Sequence, residues 1–484
     1  MRITRLLTVL AVLAALVAVP SVLAARQRPP SGRLIHTAAA IQAAAPPRYL
    51  PHDVALAARP YNDGSPLPRR SVGRVDTAGV RMFASPVLTG GRPMNHPVGQ
   101  AQYGLALLNT YRLTGDQWFL DMAARQGQRL VLTHVESRGA WWFPYRFDFP
   151  LASGLGRTMP APWYSAMAQG QALSLFTRLA EVTGWARWRV AAAATFASLR
   201  LGYRAGAPWA VWRDGNAMLW LEEYPGPVPT ASARVLNGHI FATFGVWDYW
   251  RSTRSAQAAA IFNDAVTTVR RYALDGFRNR GAASRYSLSA PNTSEKYHLI
   301  HTRQLMHLHA LTADPVFAAM AETLQTDFPA PVQSARVLFR AGRHIGVMFR
   351  GVGDGRVTRR LAVTVSRLAV VPADLRRRIA GQPGYWYHLT AGPLRGYWVL
   401  EAAPARASLG PVAAVPYFGL RRVFLAAGTF TAYTAAGSRS ISLHRQSSAP
   451  AAAAGWIRGL RAVQIGAGPL RGYWLPLSRA TTLS

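Results

Sequence analysis

The sequence predicts a multidomain protein in which a mainly α-helical domain, arranged as an α/α toroid, is followed by two small all-β modules. Three observations lead to this prediction. The 484 residues are half hydrophobic, which is enough for more than one folded domain. Apolar residues recur at three- and four-residue spacing between about residues 80 and 330. Beyond residue 330, apolar and polar residues alternate between glycines, as they do in β-strands.

The N-terminal segment is typical of a secretory signal peptide. Residues 1–24 begin with the basic MRITR, continue with the apolar LLTVLAVLAALVAV and end in small residues. An uncleaved membrane anchor is the alternative, because the apolar stretch approaches the roughly 20 residues that span a bilayer. We therefore expect a secreted or cell-surface protein. Residues 25–78, which are rich in proline, alanine and arginine, are predicted to form an extended arm.

Residues 79–330 are predicted to form four pairs of helices. The segments HPVGQAQYGLALLNTYRLTG and MAQGQALSLFTRLAEVTG end at Gly115 and Gly184, and glycine commonly follows a helix. Each is followed by a second helical segment, and two further pairs begin at GHIFATFGVWDYW and KYHLIHTRQL. Helix pairs joined by long loops favour a toroid whose loops line a cleft. We expect the aromatic loops GAWWFPYRFDFPL and MPAPWYSA at the rim of this cleft.

The C-terminal part is predicted to hold two copies of one β module, at residues 331–410 and 411–484. The octapeptide AGPLRGYW of the first copy returns unchanged 76 positions later. By analogy we expect each module to be an SH3-like barrel. We interpret the Tyr-Trp pair of each copy as part of a hydrophobic core, with stacking on sugar rings as the alternative. The two pairs are Tyr397-Trp398 and Tyr473-Trp474.

The charge of the chain limits its partners. The 55 basic residues outnumber the 21 acidic ones, and the net charge of +34 attracts polyanions. Export and the lack of a nucleic-acid-binding motif argue against nucleic acid, and they leave an acidic polysaccharide, a cell wall or a membrane surface. A solvated basic surface without a specific partner is the alternative. The chain has no cysteine, which excludes thiol chemistry.

The segment AMLWLEEYPGPVPTASARVLNGHI (residues 217–240) places Glu222 and Glu223 side by side among aromatic residues. In a purely structural interpretation, one carboxylate forms a cap or salt bridge and the other faces water. The aromatic neighbours instead indicate a low dielectric, which raises the pKa of a carboxylate toward a value useful for proton transfer. Tyr286 and Tyr297 follow downstream. The segment is therefore the best candidate for acid–base chemistry.

Several motifs in the same order resemble those of the heparosan glucuronyl C5-epimerases. The matching segments are HPVGQAQYGL (96–105), WYSAMAQGQALS (163–174), LEEYP (221–225), VLNG (235–238) and YHLIHTRQL (297–305). The resemblance covers about residues 80–330 and leaves out the β repeats. It implies an isomerase that inverts C5 of D-glucuronate residues in an acidic polysaccharide.

The implied reaction removes the weakly acidic proton beside the uronate carboxylate and returns a proton to the opposite face. It takes a base, an acid, and groups that hold the carboxylate. Nearby arginines are expected to lower the pKa of a catalytic tyrosine from its usual value of about 10. By this logic we expect no metal and no other cofactor.

Carried over from the family motifs, Glu223 and Tyr297 are the expected proton-transfer pair, with Tyr224 and Tyr286 as supporting phenols. Which group serves which face of the sugar is left open. The resemblance also indicates polar side chains as substrate contacts. These are Tyr103, Tyr164, Gln171, Asn237, His298 and His301. The two histidines are three apart on one helical face, where metal ligation is an alternative, but packed and hydrogen-bonded histidines are the more common case.

The chain departs from the family at one position and leaves two rival functions open. Animal members have Tyr-Asp-Leu-Arg where this chain has Tyr286-Ser287-Leu288-Ser289, which argues against specificity for sulfated heparosan.

A polysaccharide lyase would form the same carbanion and then expel the 4-linked sugar. A non-catalytic protein that binds an anionic glycan or cell wall is the second rival. The oligomeric state is not indicated.

Overall fold

The computed structural model of the protein describes most of the chain beyond residue 47. The described residues are 48–62, 65–70, 73–151, 156–290, 292–329, 332–352, 354–401, 405–407, 415–417, 421–434, 437–457, 460–478 and 481–483. The predicted signal peptide lies outside these ranges. Within them, no helix is both long enough and apolar enough to cross a membrane.

The described residues form two compact units. The first takes the residues up to Arg278 together with Arg285–Tyr297, and the second takes Asn279–Ser284 and the residues from His298 onward. The change from helical to β pattern at residue 330 therefore lies inside the second unit.

The helices confirm the predicted helical pairs. They are α1 (Pro86–Thr89), α2 (Pro97–Thr114), α3 (Gln117–Thr133), α4 (Ala166–Thr183), α5 (Ala186–Ser198), α6 (Leu236–Thr253), α7 (Ala256–Tyr272), α8 (Glu295–Thr312) and α9 (Pro315–Asp327). As predicted, Gly115 and Gly184 end α2 and α4, and both adopt the left-handed conformation that glycine tolerates best. In the first unit, α2 packs on α3, α4 on α5 and α6 on α7. The leading helices α2, α4 and α6 also pack on one another and form an inner row.

The inner helices α4 and α6 approach each other closely through small residues. A Cβ atom built on Gly245 of α6 would lie 2.6 Å from the carbonyl carbon of Gly170 in α4. A Cβ on Gly170 would collide in turn with the backbone of Ala242. Glycine at both positions therefore permits backbone-to-backbone packing of the two helices.

Residues 48–62 of the predicted arm lie against the helices of the first unit. The side chain of Asn263 accepts a hydrogen bond from the backbone N–H of Tyr49 (2.7 Å). Arg178 donates to the carbonyl of Pro60 (2.7 Å) and forms a buried ion pair with Asp248 (2.9 Å). These contacts hold the segment on the helical surface.

Short antiparallel hairpins connect the helices. Their strands are β1 (Met82–Phe83), β2 (Met94–Asn95), β3 (Val135–Ser137), β4 (Ala140–Trp142), β5 (Phe149–Pro150), β6 (Thr158–Met159), β7 (Val211–Arg213) and β8 (Leu219–Leu221). The β7–β8 hairpin leads directly into Glu222 and Glu223. His239 of α6 supports its end, because its buried Nδ1 accepts a hydrogen bond from the backbone N–H of Leu221 (3.1 Å).

The C-terminal residues form two β sheets with the same strand order. The first contains β9 (Val332–Phe339), β10 (Gly342–Phe349), β11 (Val357–Val365), β12 (Ala369–Arg377), β13 (Trp386–Leu389), β14 (Trp398–Leu400) and β15 (Ala405–Ala407). The second contains β16 (Val415–Pro416), β17 (Arg422–Leu425), β18 (Gly428–Thr434), β19 (Gly437–Leu443), β20 (Ser447–Ile457), β21 (Leu460–Ile465), β22 (Trp474–Pro476) and β23 (Thr481–Leu483). The orders are β11-β10-β14-β13-β12-β9-β15 and β19-β18-β22-β21-β20-β17-β23, with β16 added beside β20. The two orders correspond strand for strand, which confirms the predicted internal repeat.

The Tyr-Trp pair of the first module belongs to its core, which confirms the core interpretation for this copy. Tyr397 is buried in a cluster with Val337, Tyr387 and Leu389, and Trp398 is buried in a second cluster. In the second module, Trp474 is partly buried against that module's core.

The carboxylate of Glu322 in α9 joins this helix to the second module. Glu322 accepts hydrogen bonds from the Tyr417 hydroxyl (2.9 Å) and the Arg421 guanidinium (3.2 Å) and pairs with Arg461 (2.7 Å).

Candidate active site

The adjacent carboxylates Glu222 and Glu223 have different surroundings. Glu222 is fully buried, and its Oε1 and Oε2 accept hydrogen bonds from the Trp212 indole (2.7 Å) and the Arg234 backbone N–H (3.0 Å). Its backbone carbonyl accepts a hydrogen bond from Ala166 at the start of α4 (2.7 Å). Glu222 therefore ties the β7–β8 hairpin to the neighbouring loop and helix.

Glu223 faces a group of hydroxyl and amide donors. Its Oε1 accepts a hydrogen bond from the Tyr286 hydroxyl (3.2 Å), and its Oε2 accepts one from the Asn237 side-chain amide (3.3 Å). Asn237 lies in the first turn of α6, where the helix dipole favours a negative charge. The next residue is Gly238, and a Cβ atom there would collide with the Glu223 side chain. Glycine therefore allows the carboxylate to lie against the helix.

Three tyrosines complete the site around Glu223. The Tyr286 hydroxyl lies 3.5 Å from the hydroxyl of Tyr224, and the ring centroids of Tyr286 and Tyr297 are 4.3 Å apart. All three tyrosines are partly exposed, whereas Glu223 is 7% exposed. The structure thus brings together the four residues expected to carry the chemistry, and we call them the Glu223–tyrosine cluster.

Burial sets the pKa values of this cluster. It raises the pKa of Glu223 to about 7, although the hydrogen bonds from Tyr224, Tyr286 and Asn237 act in the opposite direction. Burial, followed by the charge of Glu223, raises the pKa of Tyr297 to about 12. The same two causes raise the pKa values of Tyr224 and Tyr286 well above 10. Our expectation that arginines lower the pKa values of these tyrosines was therefore wrong, because burial and the neighbouring carboxylate determine them.

Aromatic side chains form one wall of the cluster. Tyr224 stacks on Phe149 with centroids 5.7 Å apart, and Trp163 lies 5.9 Å from Tyr224. Trp163 in turn stacks on Tyr145 at 3.8 Å. Tyr145, Phe149 and Trp163 come from the two aromatic loops expected at the rim of the cleft. The sequence did not single out Tyr145, whose pKa is raised mainly by burial and further by the charge of Glu223. The many aromatic residues in its loop were the feature of the sequence that could have pointed to Tyr145.

The other expected substrate contacts in the first unit have different positions. Asn237 joins the cluster directly through its hydrogen bond to Glu223. Tyr164 is partly exposed, and its ring meets Trp142 edge-on at 5.8 Å. Tyr103 is buried, with the Arg81 guanidinium 5.9 Å from its ring centroid. Gln171 is fully buried within α4.

His298 and His301 belong to the second unit and are packed there. The His298 Nδ1 accepts a hydrogen bond from the backbone N–H of Ser284 (2.9 Å), and the Ser284 hydroxyl lies 2.9 Å from the His301 Nδ1. Burial lowers their pKa values to about 4 and about 3, so both rings are neutral near pH 7. In the part of the chain that the structure describes, no three His, Asp or Glu side chains are grouped so that they could hold a metal ion.

Comparison with known proteins agrees with the motifs. Residues 135–326 match the family model described as the D-glucuronyl C5-epimerase C-terminus. A D-glucuronyl C5-epimerase of Caenorhabditis elegans is 24% identical over 211 residues, which are 40% of this chain and 32% of that protein. The chain thus spans about a third of the length of this curated relative. The resemblance to the C-terminal domain of the family is confirmed for this part of the chain.

Solved structures offer weaker likenesses. A cellobiose 2-epimerase of Bacillus thermoamylovorans superposes with a TM-score of 0.36 and 14% identity, over 57% of this chain and 70% of its own. A GH76 alpha-mannanase of Bacteroides thetaiotaomicron gives a TM-score of 0.34 and 11% identity, over 48% of this chain and 56% of its own. Scores this low carry no conclusion about function.

Proposed function

We propose that this chain, whose residues 135–326 match the C-terminal domain of D-glucuronyl C5-epimerases, is a C5-epimerase of uronate residues in an acidic polysaccharide. The observation that carries the proposal is the Glu223–tyrosine cluster. It places a buried carboxylate against phenols that retain their protons, at a site that is partly open to solvent.

The pKa values of Glu223 and Tyr297 support a division of roles between them. With a pKa of about 7, Glu223 is substantially ionised at neutral pH and serves as the base that removes the C5 proton. With a pKa of about 12, Tyr297 keeps its proton and serves as the acid on the opposite face. Tyr224 and Tyr286 donate hydrogen bonds to the carboxylate and hold it in position. In the reverse direction the two roles exchange.

The surroundings favour this chemistry. Removing the C5 proton places a second negative charge beside the uronate carboxylate, and fixed donors in a low-dielectric site stabilise such a charge better than water does. The stacked rings of Tyr224 and Phe149, with the buried Trp163 beside Tyr224, form an apolar wall against which a sugar ring can pack.

The remaining parts of the proposal concern location and architecture. The N-terminal signal segment and the basic charge support an exported enzyme that meets its substrate outside the cell. The inner row of α2, α4 and α6 with its outer partners supports an α/α toroid, and the repeated sheets support two SH3-like modules for glycan or wall attachment.

Isotope exchange tests the reaction. The protein is incubated with heparosan and other glucuronate polymers in deuterium oxide, and deuterium at C5 is followed by NMR. We expect incorporation by the wild type and a loss of about 10²- to 10⁴-fold in Glu223→Gln and Tyr297→Phe. Glu181→Gln and Tyr272→Phe are matched controls. Glu181 pairs with Arg251 at the surface, and Tyr272 donates to Asp214 (2.6 Å) away from the cluster.

Ultraviolet absorbance of the same samples separates the epimerase from the lyase. A lyase would produce an unsaturated uronate, which absorbs, and an epimerase would not. New absorbance would replace the epimerase with a lyase. Neither signal on any uronan would refute the catalytic proposal and leave binding of an anionic glycan as the function.

A further inference from the structure

We propose that the ammonium group of Lys296 binds the carboxylate of the uronate residue whose C5 proton is exchanged. The inference rests on the proposed function and extends it by naming the group that recognises the acid of the sugar. Lys296 is the residue before Tyr297 and lies in the first turn of α8.

Lys296 is exceptional in the composition of the chain. Of the 55 basic residues it is the single lysine, and all the others are arginines. An arginine presents a planar fork of five donors, whereas lysine presents a compact ammonium with three. A compact ammonium can enter a narrow site beside a tyrosine and approach one carboxylate as a point charge.

The position of Lys296 matches this role. Its Nζ lies 5.5 Å from the ring centroid of Tyr297, and the Tyr297 ring packs on Tyr286 of the Glu223–tyrosine cluster. The side chain is partly buried, and burial lowers its pKa. No carboxylate within the described ranges pairs with it. A partly buried cation without an anion is costly, and a bound carboxylate would offset that cost.

The position of Lys296 in α8 does not by itself explain why a positive charge is found there. In the first turn of α8, Lys296 stands at the positive end of the helix dipole, where a cation is unfavourable and an anion is favourable. The ammonium and the helix end therefore attract the same kind of ligand. Ser289, in the loop before α8, offers no positive charge that could hold a carboxylate in place of Lys296. Its side chain is neutral, and its hydroxyl donates a hydrogen bond to the carbonyl of Ser232 (2.7 Å).

The chemistry needs a cation at this place. When the C5–H bond breaks, the proton goes to Glu223 and the electron pair spreads into the uronate carboxylate. The ammonium keeps its protons throughout, and its attraction to the carboxylate increases as this charge develops. Lys296 thus binds the ground state and stabilises the transition state further.

The single lysine makes a direct binding test available. An amine-reactive acylating reagent can modify Lys296 and the N-terminal amine and no other amine in the chain. Peptide mass spectrometry gives the two rates separately, so the N-terminal amine is an internal control. We expect saturating polyuronate to slow the modification of Lys296 about tenfold or more, and the carboxyl-reduced neutral polymer to leave it unchanged.

Substitutions provide the second test. We expect Lys296→Met to raise KM for C5 exchange about 10- to 100-fold, because one charged hydrogen bond is worth about 1.5–3 kcal/mol, and also to lower kcat. Lys296→Arg restores part of the loss because the charge remains. The control is Arg303→Met, which removes an exposed cation from the same helix and leaves both constants unchanged.

The outcomes separate this inference from the proposed function. C5 exchange by the wild type, with Lys296 modified equally fast with and without polyuronate and with KM retained in Lys296→Met, would overturn the inference and leave the epimerase intact. Protection by polyuronate but not by the reduced polymer, without any exchange, would support the carboxylate contact and overturn the epimerase. Equal protection by both polymers would show that the sugar shields Lys296 without an ion pair, and it would overturn the inference.

Discussion

At the scale of single residues, the neighbouring Glu222 and Glu223 have different surroundings. Glu222 is surrounded by donors from the protein framework, the Trp212 indole and the Arg234 backbone N–H. Glu223 is surrounded by tyrosine hydroxyls and an amide at a partly open site. Burial raises the pKa of both carboxyls to about 7, so the pKa alone does not separate them. The two carboxylates are distinguished by their hydrogen-bond partners.

Tyr286→Phe should change the pH dependence of C5 exchange. The Tyr286 hydroxyl donates to Glu223 and favours its ionised form, so removing that hydroxyl raises the pKa of Glu223 above about 7. Because the base must be ionised, the acidic limb of the kcat/KM profile should move to higher pH. Profiles measured between pH 5 and 9 would show this. Tyr272→Phe should leave the limb in place, and an unmoved limb in Tyr286→Phe would contradict the assignment of Glu223 as the base.

Glu222 should make stability depend on pH. Its pKa is raised from 4.5 to about 7 on folding, so its contribution to stability is fully present below pH 4.5 and is lost as the pH rises through 7. Glu222→Gln removes this titration. The stability of wild type relative to the variant should therefore fall by about 3 kcal/mol between pH 4.5 and pH 8.

Urea unfolding followed by tryptophan fluorescence at the two pH values measures this difference. The exposed Glu136 supplies the control variant, Glu136→Gln, whose stability relative to wild type should change little with pH. A constant difference between wild type and Glu222→Gln would show that Glu222 does not gain its proton on folding.

At the scale of elements, the site depends on how segments far apart in the chain are brought together. Glu223 follows β8, Asn237 opens α6, Tyr286 lies in the loop before α8, and Tyr297 is in the first turn of α8. The backbone N–H of Leu236 contacts the Tyr286 carbonyl (3.4 Å), which joins the start of α6 to that loop. The packing of α6 on α4 fixes the helix on which Glu223 rests.

Gly245→Ala should destabilise the first unit. The new methyl group would collide with the backbone of Gly170, and a helix backbone cannot move aside as a side chain can. We expect a loss of about 1–3 kcal/mol, even after the gain in helix propensity of about 1 kcal/mol from glycine to alanine. Thermal unfolding of the variant measures it.

Gly104→Ala is the matched control for this substitution. Its nearest neighbours are the methyl groups of Leu175, at 2.8 and 2.9 Å, which can rotate away. A larger loss in Gly104→Ala than in Gly245→Ala would contradict the backbone contact between α4 and α6.

At the scale of the whole molecule, the positive charge is unevenly distributed along the chain. Residues 331–484 hold 21 arginines and three acidic residues, so more than half of the net charge of +34 belongs to the two β modules. Arg359 and Arg360 lie exposed on β11 of the first module. Under the proposed function, this basic region would help to hold the chain on a polyanionic substrate.

Retention on a polyuronate should depend on this charge. We expect the full-length Arg359→Ser, Arg360→Ser double variant to bind a long polyuronate a few-fold to about tenfold more weakly at low salt, with the difference disappearing at high salt. C5 exchange on a short oligosaccharide should be unchanged. Binding isotherms at several NaCl concentrations measure the effect, with the double lysine variant as the control for charge. Equal binding by the serine variant would assign the attraction to other arginines of the protein.

The sequence by itself determined the elements of this protein. Helical periodicity and the terminal Gly115 and Gly184 predicted the helices, because these signals act over a few neighbouring residues. A direct repeat predicted the two β modules. Ordered motifs predicted the resemblance of the helical part to the C-terminal domain of D-glucuronyl C5-epimerases, and they pointed to the four residues that the structure brings together around Glu223.

The tertiary structure decided which groups meet and in what state of protonation. Glu222 and Glu223 are equivalent in sequence, and their different partners depend on residues that arrive from other elements. The pKa values of the tyrosines rose instead of falling, because burial and the charge of Glu223 outweigh a basic composition. Lys296 shows the same limit. Its rarity is visible in the sequence, but its place on the face of Tyr297 follows from packing. Solvent exclusion and contacts between distant segments arise only when the chain has folded. Together they determine the pKa values and the hydrogen-bond partners of the residues in the site.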